Sequence, residues 1–492
     1  MSSKDSNSGG GLLKSYIFAG SPKGSTDMQE HLHNMEEDNE LKELVSRYEA
    51  ALSEGAPVFF DLDEFIDIID YYLDFGLLQK ARNALHHASR IYQSSSELNL
   101  KRAQILALQN KREKALELLS QMEAAEPENT DINLTKAHIY SDMQQFDKSI
   151  AEYIKASEGE DQDLEDIFIN IAFEYENKGD YLSAVQYLRK ALALNPDNES
   201  VIFEISHCFE QNGTPADAVA FFQEYLDRNP YSALAWFNLG VTYSQMEAWE
   251  EAVSAYDFVA AIDEKFASAY FNKANALGGL GLYEQAIETY KETFLYEEPD
   301  AVTWYYIGEC YEKMGQFREA IDHYHKAIRL NEVYADAWMG VSSCYQQMEN
   351  LPLAAKYIRI AIEKDTDNPE AWYMLGDICR LEDDFRKAIE SYQRVLELDP
   401  ERPDIYADLC TMLFRDGSVS EAQDTIRTGL ALYPDNPQLL YHQIGLNYLS
   451  GHIKEALRLL AESYEKYPAD MHYIFDFEPS LRQDPVFLKY LP

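Results

Sequence analysis

Tryptophans recur in this chain on a period of 34 residues, and that period constrains the fold more than any other feature. Trp236, Trp304, Trp338 and Trp372 are spaced by 68, 34 and 34 residues; Tyr270 fills the gap and Tyr406 continues the series. Sixteen residues after each of these six stands an alanine: Ala252, Ala286, Ala320, Ala354, Ala388 and Ala422. Extending the frame both ways adds Ala81, Ala115, Ser149, Ala184, Ala218 and Ala456. Frames begin at 62, 96, 130, 165, 199, 233, 267, 301, 335, 369, 403 and 437; the single 35-residue step coincides with the acidic stretch 158–166. A unit this short cannot bury an apolar face alone, so neighbouring units must stack on one another.

Each frame reads as helix, short turn, helix. Trp304, Ile307, Gly308 and Tyr311 follow i, i+3, i+4, i+7, which puts them on one face of a first helix. Gly315 breaks that helix, and Phe317, Ala320, Ile321, Tyr324 and Ala327 mark a second. Pro127, Pro196, Pro230, Pro400, Pro434 and Pro468 close six frames, because the residue before a proline is disfavoured in helix. Small residues recur four after the bulky anchor, as in Ala172, Ser206, Gly240, Ala274, Gly308, Ser342 and Gly376, and predict close helix approach there.

These residues resemble the tetratricopeptide repeat. Its W-x-x-L-G-x-x-Y…A-x-x-x-F…P signature is matched by Trp236, Leu239, Gly240, Tyr243, Ala252 and Tyr256, and again by Trp372, Leu375, Gly376, Ala388, Tyr392 and Pro400. The resemblance covers residues 62–470. The second and third frames depart from it, with Asn99 and Asn133 at the bulky position. It implies an all-α, right-handed superhelical solenoid of about twelve helix-turn-helix repeats with N- and C-terminal capping helices. It further implies an all-repeat array of bacterial type, without a catalytic domain.

The ends are expected to cap the stack. Residues 1–34, Ser- and Gly-rich, are expected to be a disordered tail. Residues 35–61 are expected to form an acidic capping helix, with Leu41, Leu44, Val45, Tyr48 and Leu52 as one stripe over 38–53. Residues 471–492 are expected to cap the other end, with Asp484-Pro485 reading as an N-cap and first helical position.

Composition narrows the function. With 42 Lys and Arg against 86 Asp and Glu, the net charge is −44, which opposes binding to phosphate backbones or anionic membranes and favours neutral to basic polypeptides. The five cysteines make no CxxC pair, which fits a reducing, cytoplasmic compartment. No run of 18 apolar residues occurs, and Lys14 splits the apolar patch near the start, so neither a membrane span nor a signal peptide is expected. His86-His87 and His323-x-His325 lack the i, i+3 or i+4 spacing of paired helical ligands. The stretch 19–26 lacks the spacing of a phosphate loop, and no G-x-S-x-G occurs. The expectation is no enzyme, no metal and no cofactor.

A binding surface remains. In tetratricopeptide arrays the first helices line a concave groove, and the resemblance places there the residues one and two after the bulky anchor. These are Phe203, Phe237, Phe271, Tyr305, Tyr373 and Tyr441, and the asparagines Asn170, Asn238 and Asn272. Aromatic rings offer burial, and each asparagine offers a donor and an acceptor to a peptide's amides. The carboxylate clamp of some family members needs inward basic groups, but Phe237, Ser268 and Val302 stand in their place. The reading is a protein-binding scaffold that takes extended segments in its groove. A client-holding assembly factor or co-chaperone, and a regulatory subunit of an enzyme, are the alternatives.

Overall fold

The computed structural model describes residues 27–54, 59–159 and 163–490, with side chains from residue 40 onward. Among the described residues all regular structure is helical, and no helix is long and apolar enough to cross a membrane. The chain divides into two compact units, 1–269 and 270–492.

In the first unit, first helices begin at Leu62, Ser96, Thr130, Leu164, Glu199 and Ala233, and their second helices end at Ile91, Ala125, Ala156, Leu194, Arg228 and Ile262. The helix Ala267–Gly279 spans the boundary and begins the seventh pair. In the second unit the remaining first helices begin at Ala301, Ala335, Pro369, Pro403 and Pro437. Second helices there end at Thr293, Leu330, Lys364, Leu398, Leu432 and Lys466.

Local chemistry sets these bounds. Asp61 accepts from the Glu64 N–H at 2.8 Å while the Glu64 carboxylate accepts from the Asp61 N–H at 3.0 Å, a capping box. Ser95, Asn198, Ser232, Asp300, Asn368 and Asn436 cap other first helices through side-chain oxygens. Every turn between first and second helix uses one left-handed residue, at 76, 110, 144, 179, 213, 247, 281, 315, 349, 383, 417 and 451. Seven of these are glycine, which adopts that backbone without steric cost.

The recurrent small residue in the first helix faces a tyrosine of the second. A Cβ built at Gly240 would lie 2.6 Å from Tyr256, and one at Gly376 would lie 2.5 Å from Tyr392. Tyr324 is clamped on both sides, by Gly308 of its own pair and Gly340 of the next. These tyrosines are fully buried, so the glycines are what admit the rings.

Within each unit, a second helix packs on the next first helix, and several successive first helices also touch one another directly. The stack therefore closes up on the first-helix side of each unit. That side is the one whose exposed residues several pairs share.

The N-terminal helix runs Asp27–Glu54. It begins earlier than expected, so residues 27–34 belong to it rather than to a disordered tail; residues 1–26 lie outside the described residues. Leu44, Val45 and Tyr48 are buried, and Tyr48 packs on Phe60, Phe65 and Tyr72 while its hydroxyl meets His87 Nδ1 at 2.8 Å. Leu52, expected in the same stripe, is 41% exposed.

The C-terminal cap is built of short pieces: the 3-10 turn Pro468–His472, the helix Tyr473–Phe477, and the 3-10 turns Pro479–Gln483 and Leu488–Tyr490. Asp484 accepts from the Val486 N–H at 2.8 Å and from the Tyr448 hydroxyl at 2.9 Å. It therefore ties a turn to the last repeat and starts no long helix. Phe477 and Phe487 are fully buried.

Candidate functional site

On the first helices of the second unit an aromatic and acidic surface gathers, with Phe271, Tyr305 and Tyr373 one after their anchors, Tyr306 and Asp408 two after, and Glu309 and Asp377 five after. Tyr305 is partly buried, with its ring 5.4 Å from Tyr306 and 5.4 Å from Tyr334. Phe271, also partly buried, meets Tyr290 and Tyr306 edge-on at 5.5 and 5.6 Å. Burial pushes up the carboxyls of Glu309 and Asp336 beside them, Glu312 adding to the first and Asp365 to the second, while Lys313 opposes for Glu309. Their charge in turn helps burial hold Tyr305 and Tyr306 neutral.

A second cluster lies on the tenth and eleventh pairs. Asp377 accepts from the Tyr392 hydroxyl at 2.8 Å and from Arg380 at 3.0 Å. Asp408 faces it. Burial, with the charge of Asp377 next, pushes Asp408 up to about 7 even though Arg380 and Arg402 pull the other way. Tyr373 lies over this group, partly buried, 6.1 Å from Tyr392 and 5.4 Å from the Arg402 guanidinium. Burial and Asp377 raise it to about 12.

The expected groove residues meet different fates. Asn170 and Phe203 in the first unit, and Phe271, Asn272, Tyr305 and Tyr373 in the second, are partly exposed on first helices. Phe237 is only 9% exposed, because it stacks on Phe266 at 5.0 Å. Asn238 is 6% exposed and donates to its own helix at Leu234 O, 3.0 Å away, so its amide is already engaged. Tyr441 is wholly buried and donates to Tyr467 O at 2.8 Å. The chain entering the C-terminal cap covers the ring, so Tyr441 supports the cap and offers no surface.

The sequence places Glu309 and Asp377 along the groove, five after their anchors, but does not single out Tyr306, Asp336 or Asp408. Tyr306 and Asp408 stand two after their anchors, in the register of Asn272, and following that register by position instead of residue type finds both. In the first unit the same register carries Glu204. Glu176, Glu204 and His207 bring ligand atoms within 4.8 Å of one another, a set able to hold a divalent cation. Burial and then the Glu204 charge raise Glu176, and His207 Nδ1 is buried without a hydrogen-bond partner. The sequence does not show this cluster, because Glu176 comes from a different helix.

Three models of the tetratricopeptide repeat match the chain: one over 301–332 and 369–402, one over 171–233 and 211–265, and one over 130–158 and 267–293. No curated protein sequence matches it. Among solved structures, the chain is similar to a tetratricopeptide repeat protein from Parabacteroides merdae at 14% identity, over 51% of this chain and 100% of that one, with a TM-score of 0.42. It is also similar to the C-terminal part of a repeat-containing protein from Cytophaga hutchinsonii, at 20% identity over 52% and 99%, with a TM-score of 0.39. A third is YrrB, described as having an unusual peptide-binding site, at 21% identity over 37% and 93%, with a TM-score of 0.29.

Proposed function

Because this chain belongs to the tetratricopeptide-repeat family, we propose that it is a non-enzymatic interaction scaffold whose first-helix surface binds extended, neutral to basic polypeptide segments. The observation that carries this reading is the pairing, in the second unit, of partly exposed aromatics with carboxyls that burial holds above their ordinary range. Tyr305, Tyr306 and Tyr373 supply apolar area; Glu309, Asp336 and Asp408 supply negative charge that a bound cation would favour. Asn272 supplies amide donors and acceptors in that unit, and Asn170 and Phe203 extend the reading to the first. The net charge of −44 draws cationic segments from a distance and discriminates against acidic ones. Five buried free cysteines fit a cytoplasmic, reducing location.

The test is an immobilised array of extended 15-residue peptides graded from acidic to basic, probed with the full chain. Binding should favour neutral and basic peptides carrying apolar residues. Raising salt should weaken it without abolishing it, since charges are screened over about 8 Å at physiological ionic strength while aromatic burial persists. Glu309→Gln combined with Asp336→Asn should lower binding to basic peptides with no loss of thermal stability, because burial already disfavours both charges. If that variant and Tyr373→Ser both bind the array as the parent does, the first-helix surface is not the binding site. Equal retention of all apolar peptides regardless of charge would favour a client-holding assembly factor.

A further inference from the structure

Within the first unit, a cleft of about 680 Å³ opens between the second helix of the fifth pair, Pro215–Arg228, and the sixth pair. Its apolar wall is Leu226, Trp236, Tyr243 and Phe258. Trp236 and Phe258 stack with centroids 4.2 Å apart and planes at 19°, and Phe258 is 51% exposed. Both larger rings are fixed: the Trp236 indole N–H donates to Pro230 O at 2.9 Å, and the Tyr243 hydroxyl accepts from Gln223 at 2.9 Å. The rim carries Asp227, Glu250 and Glu251, all exposed, and no lysine or arginine lines the cleft. None of the three acids makes a salt bridge among the described residues.

The repeat itself shows what this position accepts. Phe258 stands 22 residues after the anchor Trp236. In the eighth pair the equivalent residue is Lys326, whose ammonium sits 4.2 Å from the ring centre of the equivalent anchor, Trp304. In the fourth pair it is Lys190, 5.5 Å from the anchor Phe168 and 4.1 Å from Tyr187. Two other pairs therefore satisfy their anchor aromatics with an internal cation. The sixth pair puts a second aromatic there and surrounds it with unpaired acids, so the attraction of ring faces and carboxylates for a cation is left open.

We propose that this cleft binds an arginine side chain of a partner polypeptide, its guanidinium lying on the Trp236–Phe258 surface and hydrogen-bonded at its edge by Glu250, Glu251 or Asp227. A flat guanidinium can stack on a ring and present in-plane donors to carboxylates together, which a compact ammonium cannot do as well. The cleft belongs wholly to the first unit, shares no residue with the first-helix surface of the second, and does not depend on that surface binding anything.

The test uses the full chain labelled with 5-fluorotryptophan and read by fluorine NMR, with the Trp236 resonance assigned from Trp236→Phe. The probes are N-acetyl-leucyl-arginyl-leucinamide and its neutral citrulline analogue. The arginine peptide should move the Trp236 resonance, and the citrulline peptide should bind about tenfold more weakly or less. Glu250→Gln with Glu251→Gln should weaken the arginine peptide severalfold at an unchanged melting temperature. Phe258→Lys recreates the internal cation of the fourth and eighth pairs; it should abolish binding while the chain stays folded. Equal affinity for the two peptides, an unmoved Trp236 resonance, or undiminished binding by either variant would overturn the proposal. Variants of the second-unit surface should leave this titration unchanged, so the two sites fail or stand separately.

Discussion

Gly308 is the position where a single added carbon should reveal the packing of the repeat. A Cβ there would stand 2.8 Å from Cδ1 and Cε1 of Tyr324, where ordinary contact begins at 3.4 Å, so 3.4 − 2.8 = 0.6 Å must be found. The ring cannot retreat, because its other side lies against Gly340, where a Cβ would be 2.5 Å from Cζ. Its hydroxyl is also tethered to Glu312 at 2.6 Å. Gly308→Ala should gain about 0.5–1 kcal/mol from helix propensity. Overpacking should cost about 1–3 kcal/mol, leaving a net change between about zero and a loss of roughly 2.5 kcal/mol. Gly278 is the control, since it is also helical but has nothing within 4 Å of a built Cβ. Gly278→Ala should keep only the gain, about 0.5–1 kcal/mol. A repeat array loosens segment by segment, so a single melting curve is a poor ruler. Amide exchange in the helices Ala301–Lys313 and Phe317–Leu330 reads the local stability directly. Combining Gly308→Ala with Tyr324→Leu should recover part of the loss, giving a coupling of about 1 kcal/mol. If Gly308→Ala is stabilised as Gly278→Ala is, or the coupling is absent, the clamp on Tyr324 is not what fixes glycine there.

Deleting residues 471–492 removes Phe477, which packs on Phe414 and His442, and Phe487, which packs on Tyr448. Exchange should rise first in Pro437–Lys466 and leave Ala301–Leu330 protected; uniform loss along the chain would contradict nearest-neighbour stacking. Asp408 makes a pH prediction. Its folded pKa of about 7 lies above the unfolded value near 3.9, so its contribution is fully present below about pH 4 and is lost as pH rises through 7. Asp408→Asn should therefore gain on the parent in local stability across that window and hold a constant advantage above it. A parent-minus-variant difference that is flat from pH 4 to 8 would show that Asp408 titrates normally.

The sequence by itself determined the helix-turn-helix unit, its all-α character and its twelvefold recurrence. It could do so because each pair touches mainly its neighbours in sequence, so the tertiary pattern is written locally as a 34-residue pattern of tryptophan, glycine and alanine. The left-handed turn residues keep that spacing even where Glu247, Glu349 or Asp383 replaces glycine. The tertiary structure decided which surface positions remain open. Asn238 and Asn272 share a register, yet Asn238 is buried with its amide spent on Leu234 while Asn272 stays partly exposed. Tyr441 and Tyr373 share another, and only the first is sealed by the C-terminal cap. Trp236 and Trp304 are equivalent anchors, yet one carries an internal lysine and the other a stacked phenylalanine beside open carboxylates. Burial, pKa and cleft shape depend on the side chains that adjacent helices bring within a few ångströms. A periodic sequence fixes where those helices run, and the neighbours at each contact fix what each position can do.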